Sequence, residues 1–257
     1  MPIHELSSDF AGKVALVSGA SRGIGRAVAA RLAAAGCEVV MLARKAEPLM
    51  RAAAEISAEF RTRALPIACH CGKAEDIAAV FSRVQEEFGR LDILVNNAAT
   101  NPYFGPVRDG SADVFRKILD TNVVGYYQMS IAALPLLEKS SSPVIVNVSS
   151  VAGKSPAPLM GFYSISKAAV DHLTRTLARE LGPNGVRVVG VAPGLVRTDF
   201  SQALWASESI LEEVLKTHSI KRIGEPHEVA EAIAFLASEK SSYINGSILY
   251  IDGGEST

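Results

Sequence analysis

Short runs that are apolar at every position alternate along this chain with longer stretches whose apolar residues recur every three or four positions. The first kind covers Val14–Val17, Val39–Leu42, Ala64–Ala68, Ile93–Val95, Val144–Val148, Val186–Val191 and Ile248–Ile251. The second covers Arg26–Ala35, Pro48–Phe60, Glu75–Phe88, Ser111–Leu137, Phe162–Leu181 and Pro226–Ala237. A strand with no polar face must be covered on both sides, so the alternation predicts parallel strands sandwiched between helices. Right-handed crossovers then give one α/β domain, residues 1–257, with a doubly wound parallel sheet of about seven strands. The stretch 197–221 breaks the rhythm and carries Phe200, Leu204 and Trp205. An insertion after a strand's carboxyl end overlies the ligand crevice of such a sheet, so it is read as a substrate lid, with an ordinary surface helix as the alternative.

The first strand runs into Ser18-Gly19-Ala20-Ser21-Arg22-Gly23-Ile24-Gly25 and then an alanine-rich helix. A strand, a glycine turn and a helix start form the front of a Rossmann-like nucleotide-binding unit. Gly19 permits the tight turn; Gly23 and Gly25 let backbone approach a pyrophosphate at the helix N-terminus. Further on, Tyr163 and Lys167 stand four residues apart, which places them on one face of the helix expected over Phe162–Leu181. A lysine beside a phenol favours the phenolate and lowers its pKa, giving an acid/base usable near neutral pH. The spacing alone also fits an exposed helix pair with no role.

Several motifs in order resemble the short-chain dehydrogenase/reductase family, in its compact branch, from Lys13 to Gly254. They are Gly19-x-x-x-Gly23-x-Gly25, Asn96-Asn97-Ala98, Asn122-Val123-x-Gly125, then Ser150, Tyr163 and Lys167, and finally Pro193-Gly194. Ala99 replaces the family's usual glycine. The resemblance implies that Tyr163 moves the proton, that Lys167 lowers its pKa and binds the nicotinamide ribose, and that Ser150 holds the substrate oxygen. It implies that Asn122 anchors a water joining Lys167 to solvent. Asn97, Ala98, Pro193 and Gly194 would line the cofactor site with Ser21 and Ile24, while backbone at Val196 and the Thr198 hydroxyl would bind the carboxamide. Cys71 backbone would touch adenine, with His70 where many relatives have an aspartate. Segments such as Gly72–Asp76, Asn101-Pro102 and Leu204-Trp205 are similar to NADP-dependent carbonyl and retinal reductases of the dehydrogenase/reductase member 4 type. That implies reduction of apolar ketones or aldehydes; 3-oxoacyl-carrier-protein reduction and a non-catalytic nucleotide-binding regulator are the alternatives. Arg197, Lys221 and Arg222 would permit a carrier-docking surface. Tyr103, Phe104, Leu159, Phe162, Leu195 and Trp205 are candidates for an apolar pocket.

Charge narrows the cofactor. The second strand ends Ala43-Arg44-Lys45, without the carboxylate that an NAD site uses on the ribose 2′-hydroxyl. Arg44 and Arg22 instead suit a 2′-phosphate, which points to NADP(H); two solvated arginines are the bland alternative. Cys69-His70-Cys71 alternates along a strand, placing His70 opposite the two thiols, so no metal is expected. His4, His172, His218 and His227 are left to surface or packing.

With 257 residues, 48% of them hydrophobic, the chain can bury one large core, and its net charge of −1 offers no long-range pull on nucleic acid or acidic lipid. Three cysteines suit a reducing compartment, and Met1–Phe10 has no basic-then-apolar secretory pattern. With no peroxisomal address at Glu255-Ser256-Thr257, the expected location is cytoplasmic. The helices Ser111–Leu137 and Phe162–Leu181 carry apolar residues beyond one inward face, including Tyr126, Tyr127, Ile131 and Leu134 on the first, and the run Ile248–Gly254 resembles the family's interface-forming end; the resemblance implies a homotetramer.

Overall fold

A computed structural model describes residues 10–256, the side chain of Ile210 excepted. The reading of the first nine residues, His4 included, lies outside them. The chain runs β1 (Val14–Ser18), α1 (Gly23–Ala34), β2 (Glu38–Ala43), α2 (Ala46–Phe60), β3 (Ala64–Ala68), α3 (Ala74–Glu87) and β4 (Ile93–Asn96). It continues with α4 (Ala112–Leu119), α5 (Gly125–Leu137), β5 (Val144–Val148), α6 (Gly161–Leu181), β6 (Arg187–Pro193), α7 (Glu208–Leu215), α8 (Pro226–Ala237) and β7 (Ile248–Ile251). The strands form one parallel sheet in the order β3-β2-β1-β4-β5-β6-β7. Among the described residues, no helix is long and apolar enough to cross a membrane.

Alternation along each strand sorts side chains into two layers. Ala15 and Val17 of β1 pack with Val28 and Leu32 of α1, Leu49 of α2 and Ile233 of α8. Val14 and Leu16 point the other way, onto Ile77 and Val84 of α3, Met129 of α5 and Leu177 of α6. Both faces are dry, which is why these strands read as apolar throughout. Pro66 lies in edge strand β3, where its missing N–H costs no inner ladder bond. The chain builds outward from β1 to β3 and then crosses to β4 on the other side. Ligands bind at the crevice that this reversal opens beyond the strands' carboxyl ends.

The helix expected over Ser111–Leu137 is divided. Ser111 caps α4 by accepting from Val114 N at 3.2 Å, and a π-helical turn, Asp120–Val124, separates α4 from α5. Asn122 sits in that turn, wholly buried, with its side chain bonded to Thr100 and Ser166 rather than to its own helix. β6 runs two residues beyond the apolar pattern, so that Pro193 pairs with Ile251. Asn96 and Asn147 face each other across β4 and β5 (2.9 Å) and reach Ser130 of α5 and Thr174 of α6. This dry polar chain fixes the two helices against the strands whose ends carry the site.

Candidate active site

At the switch point lies a cleft of about 1010 Å³. Its floor is the turn after β1. Ser18 Oγ accepts from Asn97 N and Ala98 N at 2.9 and 3.0 Å, and Asn97 Nδ2 donates to Ser18 O at 2.8 Å. Asn97 is thus the brace of the turn while also lining the cleft beside Ala98. At Gly25 a Cβ would stand 2.3 Å from Gly19 O, so only glycine lets α1 approach the turn this closely. Arg22 makes no side-chain cap, leaving the first N–H groups of α1 to an anion. Gly19, Ser21, Gly23, Ile24, Arg44 and Cys71 follow one another along this end. Its backbone donors and glycine cradle fit a dinucleotide pyrophosphate.

The other end is set by α6. Tyr163 and Lys167, both buried, share one helix face as their spacing predicts. Lys167 Nζ donates to Val148 O at 2.7 Å and lies 5.2 and 5.7 Å from the ring centres of Tyr126 and Tyr163. Ser150, just past β5, accepts from Ala152 N and hydrogen-bonds Tyr163. Burial pushes the phenol of Tyr163 up to about 12, with the Ser150 bond working against it. Burial likewise pushes Lys167 down to about 7, opposed by the charge of Asp171 one turn on. The expected lowering of the phenol by the lysine is therefore reversed here: desolvation outweighs their proximity, because a buried lysine resists carrying the charge that would do the work.

A family model described as enoyl-(acyl carrier protein) reductase matches residues 19–256. The human protein named dehydrogenase/reductase SDR family member 4 is 42% identical over 245 residues, 95% of this chain and 88% of that protein. The chain belongs to the short-chain dehydrogenase/reductase family. Solved members share its backbone. A short chain dehydrogenase from Burkholderia cenocepacia in complex with NADP superposes at a TM-score of 0.90 with 36% identity, covering 97% of this chain and 100% of that one. An NAD+-bound xylitol dehydrogenase gives 0.89 with 32% identity, covering 95% and 99%. As a short-chain dehydrogenase/reductase, the protein is an oxidoreductase that uses a nicotinamide cofactor.

Within this short-chain dehydrogenase/reductase, Gly19, Ser21, Arg22, Gly23, Ile24, Gly25, Arg44, Cys71, Asn97, Ala98, Ser150, Tyr163, Lys167, Pro193, Gly194, Val196 and Thr198 line the same cleft. Asn122 lies behind it. Its Oδ1 accepts from Thr100 N, and its Nδ2 donates to Thr100 O and Ser166 Oγ. Both amide hydrogens are spent on bracing the π turn, so the side chain has no donor left for a water. Arg22 is engaged as well, donating to Asp199 across the mouth at 2.8 Å. Thr198 Oγ1 caps the turn Asp199–Leu204 by accepting from Ser201 N.

Of the expected apolar pocket, Phe104 and Leu195 line the cleft. Phe162 instead stacks on Phe115 and lies against Tyr103, and Trp205 donates its indole N–H to Thr198 O and Ser201 Oγ. Three further contributors appear, of which sequence reasoning placed only Phe200, on the lid, and missed the other two. Phe200 meets the Tyr163 ring at 5.7 Å; Tyr126 donates to Val148 O beside Lys167; Glu255 enters the cleft from the far end of the chain. Tyr126 carried an outward reading in the helix pattern, whereas the structure buries it.

Proposed function

We propose that the protein is an NADP(H)-dependent reductase of apolar ketones and aldehydes, able to run the reverse oxidation of secondary alcohols. The observation that carries this reading is one continuous cleft with Arg44 at one end and Ser150, Tyr163 and Lys167 at the other. Arg44 makes no ion pair among the described residues and has no carboxylate beside it in β2, which favours a 2′-phosphate over a bare ribose. Phe104, Met160, Leu195, Phe200 and Leu204 around Tyr163 favour an apolar substrate.

When bound, the nicotinamide supplies or accepts the hydride. The protein's part is to hold and protonate oxygen. Ser150 donates a hydrogen bond to the substrate oxygen and stabilises charge growing there. Tyr163, kept protonated by its burial, gives its proton to that oxygen during reduction. Lys167, in its charged form, stabilises the phenolate left behind, and Asp171 favours that form. Residues 197–221 act as the lid: the turn Asp199–Leu204 and α7 overlie the reacting end and contribute Phe200 to it.

The carrier-protein alternative gains a name from the family model, but its docking cations are occupied. Arg197 pairs with Glu225, Arg222 with Glu228, and Lys221 donates to Leu215 O and Lys216 O. A screen of aromatic ketones, aldehydes and acyl thioesters, following NADPH absorbance, separates the readings. Turnover of free ketones is expected; turnover confined to acyl thioesters would favour the alternative.

A further inference from the structure

Two buried polar atoms outside the catalytic group face each other with no hydrogen bond made. They are His218 Nε2 and Glu255 Oε2, 3.4 Å apart. His218 closes the segment after α7. Glu255, on the tail beyond β7, lines the cleft with its carboxyl against Gly194 and Leu195 at the start of the segment. One carboxyl therefore touches the chain at both ends of the 197–221 segment. Gly194 makes room for it there, since a Cβ at that position would lie 2.8 Å from Glu255 Oε2.

The proton count in this pair follows from geometry. His218 Nδ1 lies 3.2 Å from Val214 O, and a carbonyl can only accept, so Nδ1 carries a hydrogen. A neutral ring then turns the lone pair of Nε2 toward Glu255. If Glu255 is ionised at the same time, two acceptors confront each other in a dry place, a costly arrangement. A single proton between them, on ring or carboxyl, converts the conflict into a hydrogen bond.

We propose that His218 and Glu255 share one proton and serve as positioning residues that pin both ends of the lid to the C-terminal tail. Loss of the proton makes the contact repulsive and releases the lid's far end. The inference rests on reading 197–221 as a lid. The other polar and charged groups near the pair are few. Asp252, on the same tail, is bonded by Gly254 N and Ser256 and pushes the Glu255 carboxyl up. Thr217 Oγ1 is 3.4 Å from His218 Nδ1. At the end of α7, Lys216 pairs with Glu213, and Lys221 donates to Leu215 O and Lys216 O. Burial raises the Glu255 carboxyl, which His218 opposes, so the proton is held at low pH and lost as pH rises.

Trp205, the chain's single tryptophan, stands in the lid and reports its state. In the full-length protein its emission, titrated from about pH 5 to about 9, should show a one-proton transition. The KM for a carbonyl substrate should rise about tenfold through the same transition, with little change in kcat. Glu255→Gln should remove the transition and keep the low-pH emission and KM throughout. Its amide can donate to His218 Nε2, and it does not titrate. Glu255→Ala should show the high-pH state at every pH. An unchanged titration in Glu255→Gln, or a wild-type emission and KM that do not respond to pH, would overturn the proposal. If the emission behaves as expected but no carbonyl is turned over, the pair stands and the reductase reading falls.

Discussion

Tyr163 and Lys167 are adjacent in space and shifted in opposite directions by one cause, the loss of water around them. This has a consequence for stability. Burial pushes Lys167 from its ordinary 10.5 down to about 7 in the folded protein, so between those values the unfolded chain binds more protons. Stability of the cofactor-free protein should therefore rise with pH across that window. Tyr163 acts oppositely and higher: raised from 10.0 to about 12, it contributes stability below pH 10 that is lost as pH climbs through 12. Replacing Lys167 with Met should flatten the rise in urea midpoint between about pH 7 and about 9.5. A slope as steep as wild type would place its cause elsewhere. The pairing of these two side chains was legible in the sequence, because helical spacing is a local property. The sense of their pKa shifts was not, since burial depends on Tyr126, Val148 and Ser149, which come from other elements.

Among elements, the junction of β2 with the cleft carries Arg44, on which the proposed NADP(H) preference rests. Replacing Arg44 with Asp removes a charge-assisted contact to a 2′-phosphate and supplies an acceptor for a 2′-hydroxyl. NADPH affinity should fall by roughly 10–150-fold, the worth of about 1.5–3 kcal/mol, while NADH gains. Binding titrations with both coenzymes would check it, and unchanged NADPH affinity would remove Arg44 from the site. Arg22 is a weaker contributor than its sequence position suggests, being tied to Asp199 by an exposed pair worth little by itself. The strands and most helices were legible because two dry faces leave an unbroken apolar run. The division of Ser111–Leu137 was not. The π turn adds its irregularity without a proline, and what holds it is Asn122 reaching Thr100 and Ser166, contacts distant in sequence.

For the whole molecule, the sheet order and the crevice at its switch point explain why residues from Gly19 to Glu255 meet in one place. Assembly follows from what the fold leaves uncovered. Val124 at the end of the π turn and Tyr127 and Ile131 of α5 form an exposed stripe, with Ile165 on α6 also exposed, whereas Tyr126 is buried inside the subunit and plays no part outside it. Packing two copies through this stripe, and others through the β7 end where Leu249 is exposed, gives the proposed homotetramer. Light scattering at micromolar concentration should return a tetrameric mass, and Ile131→Arg should return a smaller one. A fully active monomer would refute the assembly.

The central claim is that Tyr163 gives the proton at the end of a cleft that binds NADPH independently of it. Comparing wild type with Tyr163→Phe tests it most directly, with kcat measured on a good ketone substrate and NADPH affinity measured by fluorescence titration on the same preparations. The account predicts a loss in kcat of at least roughly 10²–10⁴-fold with NADPH affinity nearly unchanged. Near-normal kcat in the phenylalanine variant would contradict it.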